Sequence, residues 1–483
     1  VLVHQWLVEL LRRFNLHFAV FDAARFDATV ASGNPFEQSQ QVLCSLPFLV
    51  DNPAVAQAVT AASWDMLVVD EAHHLSWREG APDAGYRLVE ALARATPSVL
   101  LLTATPEQLG RAGHFGRLRL LDPERFHDFQ AFVDEEEGYA GVAVIAARLL
   151  DGERLTTAEA AQLRAMLGAE ADGRPDRVIA RLIDRHGIGR VMFRNTRHAI
   201  SGFPARRLES YRLELPAAYA DHVAQIHPEC HAGADWPARD PRVPWLVGLA
   251  RALWPEKILV ICAQASTVRS LREYLQEKVA LRAAVFHEAM DLVSRDRAAA
   301  FFADPDQGAQ LLLCSEIGSE GRNFQFAHHL VMFDLPVDPE LLEQRIGRLD
   351  RIGQRETVHL HVPFLSGSAG EVLLRWYRDG LRSFEAICPA APAVYAALGA
   401  RLRAAFADPN RLPGLLTEAR ALTERINAEL EAGRDRLLEL HSYRPAPAAE
   451  LVDALQAAER DADLTSFLEA FWDAFGLEHE PGP

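Results

Sequence analysis

Three side chains recur at helical spacing in the segment 339–353: Gln344, Arg348 and Arg351. At 100° per residue they share one face of a helix, and the opposite face carries Leu342, Ile346 and Leu349. A guanidinium is a permanently charged planar fork, which a site needs where charge develops on a transferring phosphoryl group. The segment therefore predicts a helix that packs through one face and presents an amide and two guanidiniums. Ordinary salt-bridging arginines on a surface helix are the alternative.

Both ends of this helix carry terminal signals. Asp338 is a good N-cap residue, Pro339 suits the first helical position, and Gly353 suits a helix stop. The predicted helix therefore runs from Pro339 to about Gly353.

Two carboxylates, Asp70 and Glu71, directly follow the apolar run Met66–Val69. Nucleotide hydrolases use carboxylates at the end of a buried strand to hold magnesium and to position a water molecule. Asp70 would hold Mg²⁺ through its water shell, and Glu71 would polarise the attacking water. An acidic loop is the alternative for the pair alone, but the strand context and the following Ala72–His73 favour the catalytic interpretation.

Two further segments follow apolar runs. Thr103 and Thr105 follow the run Val99–Leu102, and their hydroxyls could link the carboxylates to a second lobe, although a threonine-rich turn explains them equally well. Glycines in SEIGSEGRN follow the run Gln310–Cys314, and they would permit close backbone approach to phosphate or nucleic acid.

Short apolar strands alternate with helices in two parts of the chain, which predicts parallel α/β sheets with function at the carboxyl ends of the strands. The first part predicts strands at residues 18–21, 41–45, 66–69 and 99–102. The second predicts strands at 257–262, 283–286, 310–314, 330–333 and 358–362. Residues 131–200 indicate helices, 201–245 are proline-rich and predicted irregular, and the pattern is helical again from about residue 370.

The composition limits the function classes. With 49% hydrophobic and 24% charged residues, the 483-residue chain is typical of globular proteins of two to four domains. A net charge of −17 and only two lysines, Lys257 and Lys278, mean that any nucleic-acid contact must use a local arginine track. There is no apolar run of about 18 residues and no signal segment. Five scattered cysteines fit a reducing cytoplasm.

Histidines are not predicted to bind metal. His227, Cys230 and His231 lie close in sequence, but no second ligand cluster accompanies them, so zinc is disfavoured. The pairs His73–His74 and His328–His329 are predicted to form structural or interlobe hydrogen bonds.

The motifs QWLVE, VVDEAHHL, LLLTATPEQL, FHEAM, SEIGSEGRN and QRIGRLDRIGQ resemble the Swi/Snf-type ATPases of helicase superfamily 2. The phrases RRFNL, HFGRLRLLDP, VMFRNTR, GRDRLLEL and LLRWYRDGL resemble the bacterial branch that associates with RNA polymerase. The resemblance covers nearly the whole chain, from Val1 to Gly476, and its core motifs are specific to the superfamily.

The resemblance implies two RecA-like lobes with ATP and Mg²⁺ bound between them. It places a partial first lobe at 1–130, a helical insertion at 131–204, the second lobe at 205–366 and a helical spacer at 367–483. Motif II corresponds to Asp70, Glu71 and His73, and motif III to Thr103, Ala104 and Thr105. Motif V corresponds to Gly318, Glu320, Gly321 and Asn323. Motif VI corresponds to Gln344, Arg348 and Arg351, the arginines serving as fingers that reach across the cleft.

One family motif is missing from these 483 residues. The family carries a phosphate-binding loop ending G-K-[ST], and neither Lys257 nor Lys278 follows a glycine. Because that loop holds the β- and γ-phosphates, we expect this polypeptide to bind ATP poorly and to hydrolyse it inefficiently. The chain therefore reads as an N-terminally truncated motor core.

Three functions stay open at this stage. The resemblance implies an ATP-dependent nucleic-acid translocase that remodels or recycles RNA polymerase, acting on DNA or RNA in the cytoplasm at the nucleoid and not at a membrane. A Swi/Snf-type DNA translocase with a different target is an alternative within the same class. A non-catalytic fragment that binds polymerase or DNA is the alternative from another class.

Overall fold

The computed structural model describes residues 2–29, 33–103, 110–135, 203–316, 324–351, 353–432, 445–461 and 464–476, with scattered residues between 145 and 193. All strand pairings among these residues are parallel, which confirms the predicted α/β class. The chain divides into one unit of residues 1–138 and 201–432 and another of 139–200 and 433–483. The domain boundaries given above stay predictions.

A six-stranded parallel sheet forms the larger core of the first unit, with the strand order β5-β10-β9-β6-β8-β7. Its strands are β5 (Arg206–Leu213), β6 (Ile258–Cys262), β7 (Ala283–Phe286), β8 (Leu311–Ser315), β9 (His329–Met332) and β10 (Val358–Leu365). The strands β6, β8 and β9 are buried along their whole length, as continuous apolar runs in a parallel sheet require.

Alternate residues of this sheet pack into two separate hydrophobic clusters, one on each face. Leu259 and Ile261 of β6 enter one cluster, and Ile258, Val260 and Cys262 enter the other. The helices of this part are Arg242–Ala252, Ala265–Tyr274, Leu292–Ala303, Pro339–Ile346, Ala369–Arg375, Ala391–Ala407 and Leu412–Ala432. This period-2 division between two covered faces is the physical reason why the strands read as apolar throughout.

The smaller part of the first unit contains two short parallel strand pairs. In chain order it contains α1 (Leu2–Phe14), β1 (Ala19–Val20), α2 (Ala23–Thr29), β2 (Val42–Leu43), α3 (Leu46–Asp51), α4 (Pro53–Ala61), β3 (Met66–Val69), α5 (Ala84–Ala95), β4 (Ser98–Leu101) and α6 (Gly110–Leu121). β1 pairs with β2, and β3 pairs with β4. The apolar side chains Met66, Val68 and Leu100 are 54%, 45% and 41% exposed, so one face of the β3–β4 pair is open.

The second unit contributes helices at Thr157–Leu167, Pro445–Asp461 and Leu464–Ala474. A capping box, in which Thr156 and Glu159 bond each other's backbone N–H groups, begins the first of them. Within the part of the chain that the model describes, no helix combines the length and apolarity needed to cross a bilayer.

Two predictions about local structure are wrong. Residues 201–245 were predicted irregular, but β5 occupies residues 206–213 and forms an edge of the large sheet. The sequence of β5 does not show the alternating hydrophobic pattern of a strand, because the buried position 206 holds a charged, ion-paired arginine. The helix that begins at Pro339 ends at Ile346 instead of near Gly353, with Gly347 as its C-cap. Glycine has a low helix propensity, and Gly353 instead adopts a left-handed φ of +96° in a later turn.

The start of that helix and its packing face match the prediction. The Asp338 side chain accepts a hydrogen bond from the Glu340 N–H, and Pro339 occupies the first turn. The three apolar side chains predicted to pack, Leu342, Ile346 and Leu349, are fully buried. The apolar half of the pattern therefore survives although the helix itself is shorter.

Two buried histidines in neighbouring strands predict an acid-sensitive fold. His329 Nδ1 lies 3.0 Å from His361 Nε2. Burial, with the neighbouring histidines, lowers the pKa of His329 to about 3, and burial lowers the pKa of His361 to about 4. Because the unfolded chain protonates these groups near pH 6.5 and the folded chain does not, stability is present above pH 6.5 and is lost as the pH falls toward these values.

We expect the free energy of unfolding to fall by roughly 1 kcal/mol per pH unit for each of these two histidines between about pH 6 and pH 4. Urea unfolding followed by tryptophan fluorescence at pH 7.5, 6 and 5 measures this slope. His329→Gln should reduce it, whereas His17→Gln, at an exposed position, is the matched control and should leave it unchanged. An unaltered slope in His329→Gln would contradict the prediction.

Candidate active site

The carboxyl end of β3 carries the first predicted carboxylate, Asp70. Its Oδ1 accepts a hydrogen bond from the Glu71 N–H at 2.9 Å, and its Oδ2 accepts one from the indole Nε1–H of Trp6 at 2.8 Å. Trp6 lies on α1 and was not predicted as a site residue, because nothing local links it to a strand 64 residues away. The exposed carboxylate of Asp70 is thus held in a fixed orientation by two donors.

The second carboxylate, Glu71, sits in a left-handed backbone conformation, with φ 51° and ψ 43°. Such a conformation is uncommon for a residue with a Cβ and is found mostly where the surrounding structure imposes it. The Nδ1 of His73 lies 3.2 Å from its Oε2. The hydrogen bond from His73 lowers the pKa of Glu71 against the effect of burial, and the charges of His73, His74 and Arg348 lower it further. Glu71 is therefore an anion at neutral pH.

Thr103, at the end of the neighbouring strand β4, joins this group. Its hydroxyl oxygen lies 3.3 Å from His73 Nδ1, so Thr103, His73 and Glu71 form a continuous polar chain. The backbone around them is fixed by two hydrogen bonds that extend the β3–β4 pairing, from Leu102 N–H to Val69 O and from Ala72 N–H to Leu102 O, each 2.8 Å. The structure thus brings together three of the residues predicted from two different motifs.

The arginine segment, residues 339–351, belongs to the part of the chain that is built on the large sheet. Arg348 is 8% exposed, and its charge is among those that lower the pKa of Glu71. Arg351 donates from Nε to the carbonyl oxygen of Gly347 at 2.8 Å. Burial lowers the pKa of Arg351, and the charge of Glu9 on α1 opposes that shift. The charges of Arg348 and Arg351 therefore interact with carboxylates of the first 135 residues, those of Glu71 and Glu9 respectively.

Glu340, in the first turn of the helix Pro339–Ile346, also interacts electrostatically with charged residues at the end of β3. The pKa of Glu340 is raised, mainly by burial and by Asp338, and it responds to the charges of His73, His74 and Glu71. Gln344 lies on the exposed side of the same helix.

Five predicted site residues lie outside the described part of the chain: Thr105, Gly318, Glu320, Gly321 and Asn323. The roles of all the predicted residues in nucleotide chemistry stay predictions.

Two buried arginines next to this site were not predicted. Arg345 binds Glu316 at the end of β8 and also donates to Asp334 after β9, at 3.1 Å. Arg206 binds Glu343 and Asp350. Each guanidinium thus links the arginine segment to the large sheet. The sequence signal for these contacts was that arginines and acidic residues occur at positions spaced like those of the apolar face of the helix.

A histidine and two carboxylates lie close enough together to be considered as a metal site: His227, Glu229 and Asp334, with their ligand atoms within 4.8 Å of one another. The pentapeptide 227–231 therefore contributes His227 and Glu229 to this group, and Cys230 and His231 are not part of it. Arg242 donates to Glu229 at 2.9 Å, and Arg345 donates to Asp334 at 3.1 Å. A cation here would meet two guanidinium charges, which disfavours metal binding.

The model of the helicase conserved C-terminal domain matches residues 245–353, and that of the RNA polymerase recycling family C-terminal region matches residues 357–483. Together with the parallel α/β sheet and its arginine segment, these matches make the chain helicase-like.

More particularly, the chain is a relative of the RNA polymerase-associated proteins RapA, which confirms the predicted resemblance. It is 50% identical over 521 residues to RapA of Sodalis glossinidius (strain morsitans), covering 99% of this chain and 54% of that protein. It is 49% identical over 505 residues to RapA of Stutzerimonas stutzeri (strain A1501), covering 99% and 53%. The chain thus spans about half the length of these curated relatives.

A solved structure of the SWI2/SNF2 ATPase core of Sulfolobus solfataricus in complex with dsDNA is 15% identical and covers 83% of each chain. Its TM-score of 0.31 is too low for that likeness to support any conclusion about this chain.

Proposed function

We propose that this chain is the motor part of an ATP-dependent nucleic-acid translocase that remodels or recycles RNA polymerase. The names of its relatives and the family description of residues 357–483 support polymerase as the partner. The helicase match over 245–353 supports a nucleotide-driven action on nucleic acid, with DNA as the first choice. The corresponding location is the cytoplasm, in association with the nucleoid.

The observation that carries the proposal is the carboxylate of Glu71, which contacts His73 at the end of β3 and whose pKa is lowered in part by the charge of Arg348. An anionic carboxylate at the end of one sheet's strand lies within electrostatic reach of a guanidinium from the other sheet. Hydrolysis of a phosphoanhydride needs both groups, a carboxylate to orient water and a cation to stabilise charge on the transferring phosphoryl group. The left-handed backbone at Glu71 agrees with this role, since such conformations are often found at functional sites.

The residues present fit a magnesium ion bound through water at Asp70. Each carboxylate oxygen of Asp70 accepts one hydrogen bond from the protein, and an ionised carboxylate offers about four acceptor sites, so sites remain for water ligands. Hard oxygen ligands and retained water are what Mg²⁺ prefers. When bound, the ion supplies Lewis-acid polarisation of phosphate oxygens.

The protein's own residues would divide the remaining work. Glu71 accepts a proton from the attacking water, His73 holds its carboxylate in place, and Thr103 contacts the His73 ring. Trp6 orients Asp70. Arg348 and Arg351 place permanent positive charge opposite the carboxylates, where a transferring phosphoryl group would lie.

A second candidate function is a non-catalytic module that binds polymerase or DNA. The observation that favours it is the absence of any Gly-Lys pair in the 483 residues, since the lysine and amides of the family's loop hold the β- and γ-phosphates. A translocase with a target other than polymerase is the further alternative within the first class.

ATP turnover by this chain, measured with and without DNA and RNA polymerase, separates these candidates. A version extended by the upstream segment of a RapA relative, with its G-K-[ST] loop, is measured beside it. We expect turnover in the extended version, stimulated by DNA or polymerase, and little in the shorter one. Binding to polymerase or DNA without turnover in either version would favour the non-catalytic module and would overturn the motor proposal.

A further inference from the structure

The segment that carries Arg348 and Arg351 continues beyond the helix with a mixture of i→i−3 and i→i−4 bonds in place of a continuous α-helical ladder. The helix ends at Ile346, and the next residues form an irregular turn. In that turn, Asp350 N–H bonds Ile346 O at 3.0 Å and Arg351 N–H bonds Leu349 O at 3.1 Å. The turn is thus less regular than a helix, and contacts from outside it add to the bond that Arg351 Nε donates to Gly347 O.

A single guanidinium, that of Arg206 on β5, contacts one residue before the end of the helix and one residue after it. Its two terminal nitrogens donate to the two carboxylate oxygens of Glu343, at 3.1 and 3.0 Å, and its Nε donates to Oδ2 of Asp350. Glu343 lies within the helix, whereas Asp350 lies beyond its end and directly before Arg351. The side chains of Arg206 and Asp350 are 2% and 0% exposed, whereas that of Glu343 is 28% exposed.

We propose that Arg206 is a positioning residue for the arginine segment, fixing Arg348 and Arg351 toward the carboxylates at the end of β3. This inference deepens the proposed function and rests on it.

Chemistry favours positioning over a stabilising role. A buried ion pair contributes little net stability, because desolvation offsets the attraction, but its geometry is strict when a guanidinium binds a carboxylate through two parallel bonds. Burial acts to lower the pKa of Arg206, yet Glu343 and Asp350 outweigh it and the pKa lies above the ordinary value. A lysine would keep the charge but could not span both acids with fixed geometry.

The same unit contains a matched control. Arg242 forms a buried network with Glu229 and Asp240, with all three side chains at most 4% exposed. Arg242 also donates to the carbonyl oxygen of Phe333, and Glu229, Asp240 and Phe333 all lie outside the arginine segment. Arg206→Lys and Arg242→Lys therefore make the same chemical change in comparable surroundings, and only the first should affect residues 347–351.

Hydrogen–deuterium exchange on the 483-residue chain tests the inference. In Arg206→Lys we expect the amides of residues 347–351 to exchange at least about tenfold faster, while those of β6 and β9 keep their protection. Arg242→Lys should leave residues 347–351 unchanged. Unchanged exchange in Arg206→Lys, or equal acceleration in both variants, would overturn the proposal. If Arg206→Lys does not fold, Arg206→Met combined with Glu343→Met and Asp350→Leu removes every charge of the network and is measured in its place.

Turnover by the extended version gives the second readout. Arg206→Lys should lower kcat about tenfold or more and leave the KM for ATP within about twofold, as expected when only transition-state contacts are lost. Normal kcat in Arg206→Lys together with lost turnover in Arg351→Ala would overturn the positioning role and leave the proposed function standing. Normal turnover in Arg351→Ala would instead overturn the proposed function, and the exchange measurement would still decide whether Arg206 anchors the turn.

Discussion

Glu71→Gln is expected to reduce ATP turnover by about a hundredfold to ten-thousandfold in the version that carries the phosphate-binding loop, the range of a lost general base. Glutamine keeps the shape and one acceptor oxygen but cannot take a proton. Because the hydrogen bond from His73 lowers the pKa of Glu71, the wild-type group is ionised throughout the neutral range. The loss of this ionised carboxylate should therefore lower kcat, whereas the affinity for ATP should stay within a few-fold of wild type.

The measurement is steady-state phosphate release together with the equilibrium binding of a fluorescent ATP analogue. Glu79→Gln is the matched control, since Glu79 lies on the same loop and is exposed, and it should retain full turnover. Turnover near the wild-type rate in Glu71→Gln would remove Glu71 from the role of water activator. It would leave Asp70 and its magnesium site to be tested separately.

The pH dependence of that turnover follows from the same contact. A carboxylate with a lowered pKa is protonated only below its ordinary range, so its acid limb should lie below pH 4.5, the usual value. The stability that neutral His329 and His361 contribute begins to fall at a higher pH, near 6.5. Loss of activity on acidification is therefore expected to report the unfolding of the sheet and not the titration of Glu71.

The sequence predicted best what depends on local pattern. The runs Met66–Val69 and Ala283–Phe286 form strands with the predicted bounds, because a continuous apolar run flanked by polar residues has few other stable arrangements. The N-cap Asp338 and its following proline likewise act within one turn of chain. These features require no knowledge of which elements lie opposite.

The features that the sequence missed all depend on a partner distant in the chain. β5 reads as polar because Arg206 belongs in the core only with Asp350, 144 residues away. The contact of Trp6 with Asp70 spans 64 residues. Beyond the glycine that ends its helix, the segment after Pro339 is held by a contact of Asp350 with Arg206 that no periodicity in residues 339–353 contains. Buried charges thus hide elements and contacts where tertiary pairing replaces the hydrophobic pattern.

Arg351→Ala is expected to lower turnover by at least about a hundredfold, since loss of an arginine finger commonly costs a factor of a thousand or more. Arg351 is partly buried: burial lowers its pKa, and the charge of Glu9 raises it. Because burial disfavours the charged form, this guanidinium gains from a nearby phosphoryl group that develops negative charge. Alanine removes that charge and also the bond to Gly347 O.

Two companion variants decide between charge and structure. Arg351→Lys keeps the charge without the planar fork, so partial turnover in it would assign the effect to charge, and none would assign it to geometry. Arg355→Ala, four residues further on and exposed, is the matched control and should retain full turnover. If Arg351→Ala turns over ATP at the wild-type rate while its thermal unfolding is shifted, Arg351 is a structural arginine. The charge opposite Glu71 would then come from Arg348 alone, which already lies close enough to lower the pKa of that carboxylate.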